Sequence, residues 1–405
     1  MPLNELVNHK DIQEVREVLK KFQEGYTNRN TDTLDSYMDD IFVNDDSMIT
    51  VGTSRSEWCF GVHDLKNLVE SDWKYWGDLV VNFEKAKINS KGSVSWFLAD
   101  CTINWEDDDY NEWCNDLVAD YFEDNGRFIN YKPKSKLAML NLQMAFIQQS
   151  KEHLGCNMPI RLSGGLIKRE NQWLIHKLHF SAPMPSYPEW RIADDNVDSL
   201  KYYNQVKEKM KAFNDKFKKD SLESITELLN QLQSNYLDKA TAVEDTINHL
   251  FLTNDDTYIV DPNENPAAFG RTNMENMILD QREKWDEMIL NVHEAILNAE
   301  DDTVAITANG LFKKAYRTDE LVDKEWNNIK TILQREGTVE DRLLEAQKQI
   351  AYTFKEVSFG EESLWEFRFE AIAIKECNQW RFHNIQFTFP SLYVYEGNYK
   401  MTPLL

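Results

Sequence analysis

Asp100 lies inside "VSWFLADCTINW" (Val94–Trp105), a run rich in β-branched and aromatic residues that reads as a strand. A carboxylate on a sheet, desolvated by apolar neighbours, gains a raised pKa and can shuttle protons. The other reading is a carboxylate that faces solvent or pairs with a nearby Arg or Lys. His176 and His179 form a histidine pair three residues apart. On a regular strand such residues point to opposite faces, so they cannot share one metal unless a bulge intervenes. Arg161 and Arg368 recur 207 residues apart. Each is either a salt-bridge partner that supports the fold or an anchor for an anionic ligand group. Trp58, Trp76, Trp96 and Trp105 could line a pocket for a flat ligand, although aromatic residues at such spacings also build cores.

The elements that must hold these residues come twice. Between Arg161 and Pro183, nine of 23 positions are identical to those 207 residues later, including Arg161/Arg368, Trp173/Trp380 and His176/His383. The match runs upstream: "FGVHDLKNLVESDWKYWGDL" from Phe60 faces "FGRTNMENMILDQREKWDEM" from Phe269. A single repeat of this length means two domains of one fold, not a solenoid. In each copy a helical stripe comes first: Ile12, Val15, Val18, Leu19, Phe22 and Tyr26, then Ile225, Leu228, Leu229, Leu232 and Tyr236. A short helix, a short strand and a longer helix follow (Leu65, Leu68, Val69 and Trp76; Met274, Met277, Ile278 and Trp285). The rest is mostly strand, closing in a hairpin about "ENQW" or "CNQW". Helices first and strands after is the pattern of an α+β domain with its helices on one face of an antiparallel sheet.

Each copy also carries a helical insertion, about 106–158 and about 317–363. The acidic run Glu106–Asp109 opens the first and reads as a solvated loop. Prolines 183, 185 and 188 close copy one. A linking helix over 193–220, capped by Asp194 or Asp195, shows the stripe Val197, Leu200, Val206, Met210, Phe213 and Phe217 and should be a packed strut. The domains are expected at 1–192 and 221–405.

"VGTSRSEWCFGVHDL" (Val51–Leu65) and "RLSGGLIKRENQWLIHKLHFSAP" (Arg161–Pro183) resemble the GT–E–W stretch and the closing hairpin of SnoaL-like domains, members of the nuclear transport factor 2-like superfamily. The resemblance implies a cone-shaped curled sheet that, with its helices, encloses a pocket. The superfamily hosts isomerases, cyclases, hydrolases, binding modules and association domains, so the fold fixes no activity. His179 stands at the family's recurring histidine and Glu57 at its acidic position. Copy two departs from the pattern: the GT–E–W stretch becomes "DPNENPAAFG", His179 becomes Gln386, and Asp100 falls near Gly310. Copy one is therefore the expected seat of any site. Asp100 and His179 are its candidate acid–base pair. Glu57, Trp58, Trp76 and Trp96 are candidate ligand contacts, together with Arg161 and Arg368.

Composition bounds the chemistry. The 405 residues are 42% hydrophobic and 12% aromatic, enough for sizeable cores. With 45 basic against 69 acidic residues, the net charge of −24 repels phosphates and argues against nucleic acid and anionic membranes as partners. No signal-peptide core or membrane span is evident. Five cysteines with no CxxC read as reduced thiols in a cytoplasm. No phosphate-binding loop, dinucleotide glycine series, nucleophile elbow or zinc spacing occurs, so no cofactor and no metal is expected. Three functions stay open: binding of a small, largely apolar molecule in copy one, cofactor-free isomerase, cyclase or dehydratase chemistry, and a non-catalytic interaction scaffold. The two copies should pair within the chain as a pseudo-dimer and leave it monomeric.

Overall fold

The computed structural model describes residues 9–106, 155–183, 196–217 and 223–391 apart from 264 and 359, with scattered positions between 107 and 154. Helix α1 (His9–Asn28) buries Val15, Val18, Leu19, Phe22 and Tyr26, the stripe expected from its period. Then come α2 (Leu34–Ile41), β1 (Ile49–Val51), β2 (Trp58–Phe60), α3 (Val62–Tyr75), β3 (Asp78–Val81), β4 (Lys87–Lys91), β5 (Val94–Glu106), β6 (Gly155–Arg169) and β7 (Gln172–Ser181). The second half begins, after helix α4 (Asn196–Phe217), with α5 (Glu223–Asn235) and α6 (Val243–Leu250). It continues through β8 (Tyr258–Val260), β9 (Ala268–Phe269), α7 (Arg271–Lys284), β10 (Glu287–Leu290), β11 (Ile296–Glu300) and β12 (Thr303–Ala315). Helices α8 (Thr318–Gln334) and α9 (Val339–Val357) precede β13 (Glu362–Glu376) and β14 (Gln379–Thr388).

The two seven-stranded sheets have the same topology. The first runs β2-β1-β7-β6-β5-β3 with β4 also on β5, and the second runs β9-β8-β14-β13-β12-β10 with β11 also on β12. Neighbours are antiparallel except β1 with β7 and β8 with β14, which are parallel, so each sheet is mixed. Both closing hairpins turn on two residues of positive φ, Glu170 and Asn171 at 49° and 65°, Cys377 and Asn378 at 49° and 64°. That is the two-residue turn whose twist matches the strands, and Asn at its second position tolerates the left-handed conformation.

Each sheet also carries a bulge at the same place. Gly165 and Leu166 pair with Lys177 and Ile175, leaving His176 as the extra residue on β7. Ile372 and Ala373 pair with Asn384 and Phe382, leaving His383 as the extra residue on β14. A bulge bends its strand and re-aims the unpaired side chain.

Alternation along the strands decides what each sheet face meets. On β5, Phe97, Ala99, Cys101 and Ile103 join the core under α1 and α3. Val94 and Trp96 face the other way and cluster with Leu252, Ala305, Ile372 and Ile374 of the second half, while Leu98 packs with Tyr258 and Val260. The two sheets thus lie with their outer faces together, each with its own helices on the far side.

Helix α4 departs from the expected stripe. Val197 and Leu200 are exposed, and Ser199 and Tyr203 are buried instead. The Asn196 amide donates to the Glu362 carbonyl at 2.6 Å and accepts from the Leu364 N–H at 2.9 Å, and Ser199 Oγ donates to the Leu364 carbonyl at 3.0 Å. This pinning to β13 sets the rotation of the first turn. From Val206 onward the stripe is as expected, with Met210 and Phe213 buried. The caps at Asp194 and Asp195 and most of the insertion 106–158 lie outside the described residues. The second insertion is the α8–α9 pair, whose second helix is capped by Thr338 accepting from the Asp341 N–H at 3.1 Å. Among the described residues no helix is long and apolar enough to cross a membrane.

Candidate functional site

The seam between the sheets holds a buried polar network drawn from both halves. Lys177 on β7 donates to the Ile306 carbonyl at 2.6 Å and stands 3.4 Å from Glu370 on β13. His179 Nδ1 is 3.5 Å from Glu370, and its Nε2 is 2.9 Å from the Thr388 hydroxyl. Two residues along the same strands, Gln386 reaches Ser181 at 3.4 Å. Burial pulls the Lys177 ammonium below its ordinary pKa, with Glu370 opposing. Burial pushes Glu370 up, but Lys177 and His179 outweigh it, and the carboxyl ends below its usual range. Burial likewise holds the His179 imidazole low against the pull of Glu370.

The folded chain therefore keeps His179 neutral, while the unfolded chain takes up a proton below about pH 6.5. Proton uptake on unfolding makes stability fall as pH drops through that region. Glu370, also lowered, adds stability above about pH 4.3 that is lost further down. His179→Gln, which installs the residue found at Gln386 of the other copy, should flatten the limb between about pH 5 and 7 in thermal melts. An unchanged slope would remove His179 from the account.

Two arginines clamp the seam reciprocally. Arg161 on β6 donates to the carbonyls of Asp261 at 3.0 Å and Asn263 at 2.7 Å, and to that of Asn265. Arg368 on β13 donates to the carbonyls of Gly52 at 2.7 Å and Thr53 at 2.9 Å, and to that of Ser54. Each guanidinium holds the loop that follows the first strand of the other half. The recurring arginine thus serves the pairing of the copies through backbone oxygens.

The remaining sequence candidates fall in three separate places. Glu57 lies inside the first cone, accepting from the Ser54 N–H at 2.9 Å, and burial pushes its carboxyl up. With Gly52, Asp72, Trp76 and Phe180 it borders a void of ≈ 10 Å³, room for about one water. A void of the same size adjoins Gln281, Trp285 and Phe389 in the second cone. Trp58 leaves the cone altogether and donates from Nε1 to Tyr202 of α4 at 2.9 Å. Trp96 sits in the seam. Asp100 is on the seam face midway along β5 but exposed, beside an open groove formed with β3. The register places Asn309, not Gly310, at the equivalent position, since Asp100 pairs with Arg161 and Asn309 with Arg368. Asn309 is covered because its amide donates to the Tyr203 carbonyl of α4 at 3.0 Å. Asp100 and His179 share a sheet face but are two strands apart, about 10 Å, and His179 is fully buried.

The histidine pair behaves differently from the regular-strand expectation. The bulge turns His176 to the seam face, where it lines a cavity of ≈ 410 Å³ together with Lys177. The apolar walls come from both halves: Val94, Leu166 and Ile167 from the first, Leu297, Ala305 and Ile372 from the second. Asp45, Ser47, Arg169, Asn298 and Glu300 are the other polar residues around it. Ser47 Oγ stands 2.9 Å from His176 Nε2 and donates its single proton to Asp45. Ser47 then accepts from the Nε2–H of His176. Lys177, Glu370 and Ala305 were not singled out in the sequence. Their only signal is the register of the two copies, which strand pairing reveals.

No family model matches the chain, and no curated protein matches it. Solved structures do. The chain is similar to a nuclear transport factor 2-like superfamily protein from Salmonella enterica serovar Typhimurium (13% identity, 42% of this chain and 91% of that one, TM-score 0.28). It is similar to a cystatin-like-fold protein from Nostoc punctiforme (10%, 45% and 98%, 0.27). It is also similar to a protein provisionally named a dehydratase of the same family from Streptomyces avermitilis (7%, 44% and 98%, 0.28). The likeness is to the nuclear transport factor 2-like fold. Each match spans somewhat under half of this chain, the length of one of its two copies.

Proposed function

We propose that the chain is a binding protein for a small, largely apolar molecule, monomeric, with two units over 1–192 and 221–405 paired face to face. The binding site is the seam cavity and not the cone of the first unit. The observation that carries this reading is the contrast in space. Among the described residues, the void beside Glu57 and Trp76 has ≈ 10 Å³, whereas the seam beside His176 and Ala305 has ≈ 410 Å³ with mostly apolar walls. Ligand sites are mostly apolar clefts with a few placed polar groups, often where two domains meet. Acid–base catalysis by Asp100 and His179 finds no support in their separation, one exposed and the other sealed by Thr388 and Glu370. The small voids in both cones favour a scaffold as the second reading.

Native mass spectrometry on gently purified protein separates the two. A single chain carrying a retained small molecule is the expected result. A single bare chain that no compound in a small-molecule panel stabilises would favour the scaffold. A stable dimer of full chains would contradict the internal pairing.

A further inference from the structure

Asp78 pairs with Asn104 as Glu287 pairs with Lys313, so Asn82 and Asn291 are counterparts, as are Asp100 and Asn309. The Asn82 N–H donates to the Asp100 carbonyl at 2.9 Å, and the Asn291 N–H donates to the Asn309 carbonyl at 2.9 Å. In the second half helix α4 lies over this place. The Asn309 amide donates to the Tyr203 carbonyl at 3.0 Å, and the Asn291 amide reaches Asn309 Oδ1 at 2.9 Å and Met210 Sδ at 3.8 Å. Further along, Asn214 donates to the carbonyls of Glu294 at 3.1 Å and Ala295 at 3.4 Å, and Val206, Met210 and Phe213 share a core with Val292 and Ala295. Under this cover Asn291, Asn309 and Leu311 are 3%, 3% and 1% exposed. In the first half the same place is the open groove, ≈ 410 Å³, between β3 and β5. Val80 on its floor is 43% exposed, and Asn82 and Asp100 are exposed as well.

The exchange of Asn309 for Asp100 says what an occupant must bring. An amide can donate to a helix carbonyl, as Asn309 does, whereas a carboxylate only accepts. A segment lying in the groove therefore supplies a donor, and beside a full anion a Lys or Arg makes the stronger, charge-assisted bond. Glu84, on the same rim, stands where the second half has His293. The net charge of −24 draws a basic partner as well. We infer that the groove beside Asp100 receives an amphipathic helix of a partner protein, laid as α4 is laid on the second half, with apolar side chains against Val80 and Phe83 and a Lys or Arg against Asp100. A helix setting its apolar stripe into a groove is a recurring mode of recognition, and this chain contains a version of the contact within itself. The groove shares no lining residue with the seam cavity, so the inference does not depend on what that cavity holds.

Two labelled peptides of the α4 sequence test it by fluorescence anisotropy against the intact chain. Both are held helical by a hydrocarbon staple across positions 204 and 208, which are exposed in α4. One keeps Tyr203, and the other carries Tyr203→Lys to bring an ammonium to Asp100. The lysine peptide should bind saturably at one site per chain. Asp100→Asn, which installs the residue of the second half at an exposed position, should weaken the lysine peptide about tenfold and leave the tyrosine peptide unweakened. Val80→Gln, which removes apolar floor, should weaken both. If the lysine peptide does not bind, or binds the unaltered chain and both variants alike, the inference is overturned. If the chain itself dimerises and Val80→Gln abolishes the dimer, a second copy is the occupant and the basic partner is overturned.

Discussion

Glu370→Gln should destabilise the chain by about 3–5 kcal/mol, the usual loss when one member of a buried ion pair is removed. Lys177 and Glu370 have side chains only 4% and 7% exposed, so neither charge can turn to water when the other is lost. In the variant, Lys177 keeps its bond to the Ile306 carbonyl but has no anion beside it. His179, which Glu370 draws toward the protonated form, loses that pull. The matched control is Glu362→Gln. Glu362 pairs with Lys313 at 2.8 Å but is 53% exposed, and an exposed pair contributes at most about 1 kcal/mol. Urea unfolding midpoints compare the two variants directly. Equal losses would mean that the seam is open to solvent.

Trp96→Ala should cost about 3–5 kcal/mol as well, by a different route. The indole is 1% exposed and packs with Val94, Leu252, Ala305, Ile372 and Ile374 across the seam. Truncation opens a void in that cluster and removes the donor from His383 Nδ1. It also makes the two sides of the seam alike, since Val94 pairs with Ile167 as Thr303 pairs with Ile374, which puts Ala305 where Trp96 stands in the first copy. A loss below about 1 kcal/mol would place Trp96 at a surface and not in a core.

The repeat made the architecture legible. Local rules suffice for the "ENQW" and "CNQW" turns, the helical stripes on α1 and α5, and the order of helices before strands, and all of them appear in the structure. Partners across the seam were not legible, because no local rule states which face of one sheet meets which face of another. Arg161 and Arg368 were recognisable as a recurring pair, but their partners are backbone carbonyls some hundred or more residues away. The direction of His176 was not legible because alternation assumes an unbroken ladder, and the one extra residue on β7 that reverses it carries no local signal. The first turn of α4 followed Asn196 and Ser199 to β13 against its own apolar pattern. Ala305 carries no chemistry that a sequence can flag. It acquires meaning only opposite Trp96, once the strands are in register.

The apposition of the two sheets carries the whole account, and a double-mutant cycle between Lys177 and Glu370 tests it most directly. Lys177→Met, Glu370→Leu and the pair together would be compared by equilibrium urea unfolding. Two residues that share one sealed contact should couple, with the double variant at least about 2 kcal/mol more stable than the sum of the single losses allows. Additivity within about 0.5 kcal/mol is what independent, distant sites give, and that result would contradict the pairing of the halves.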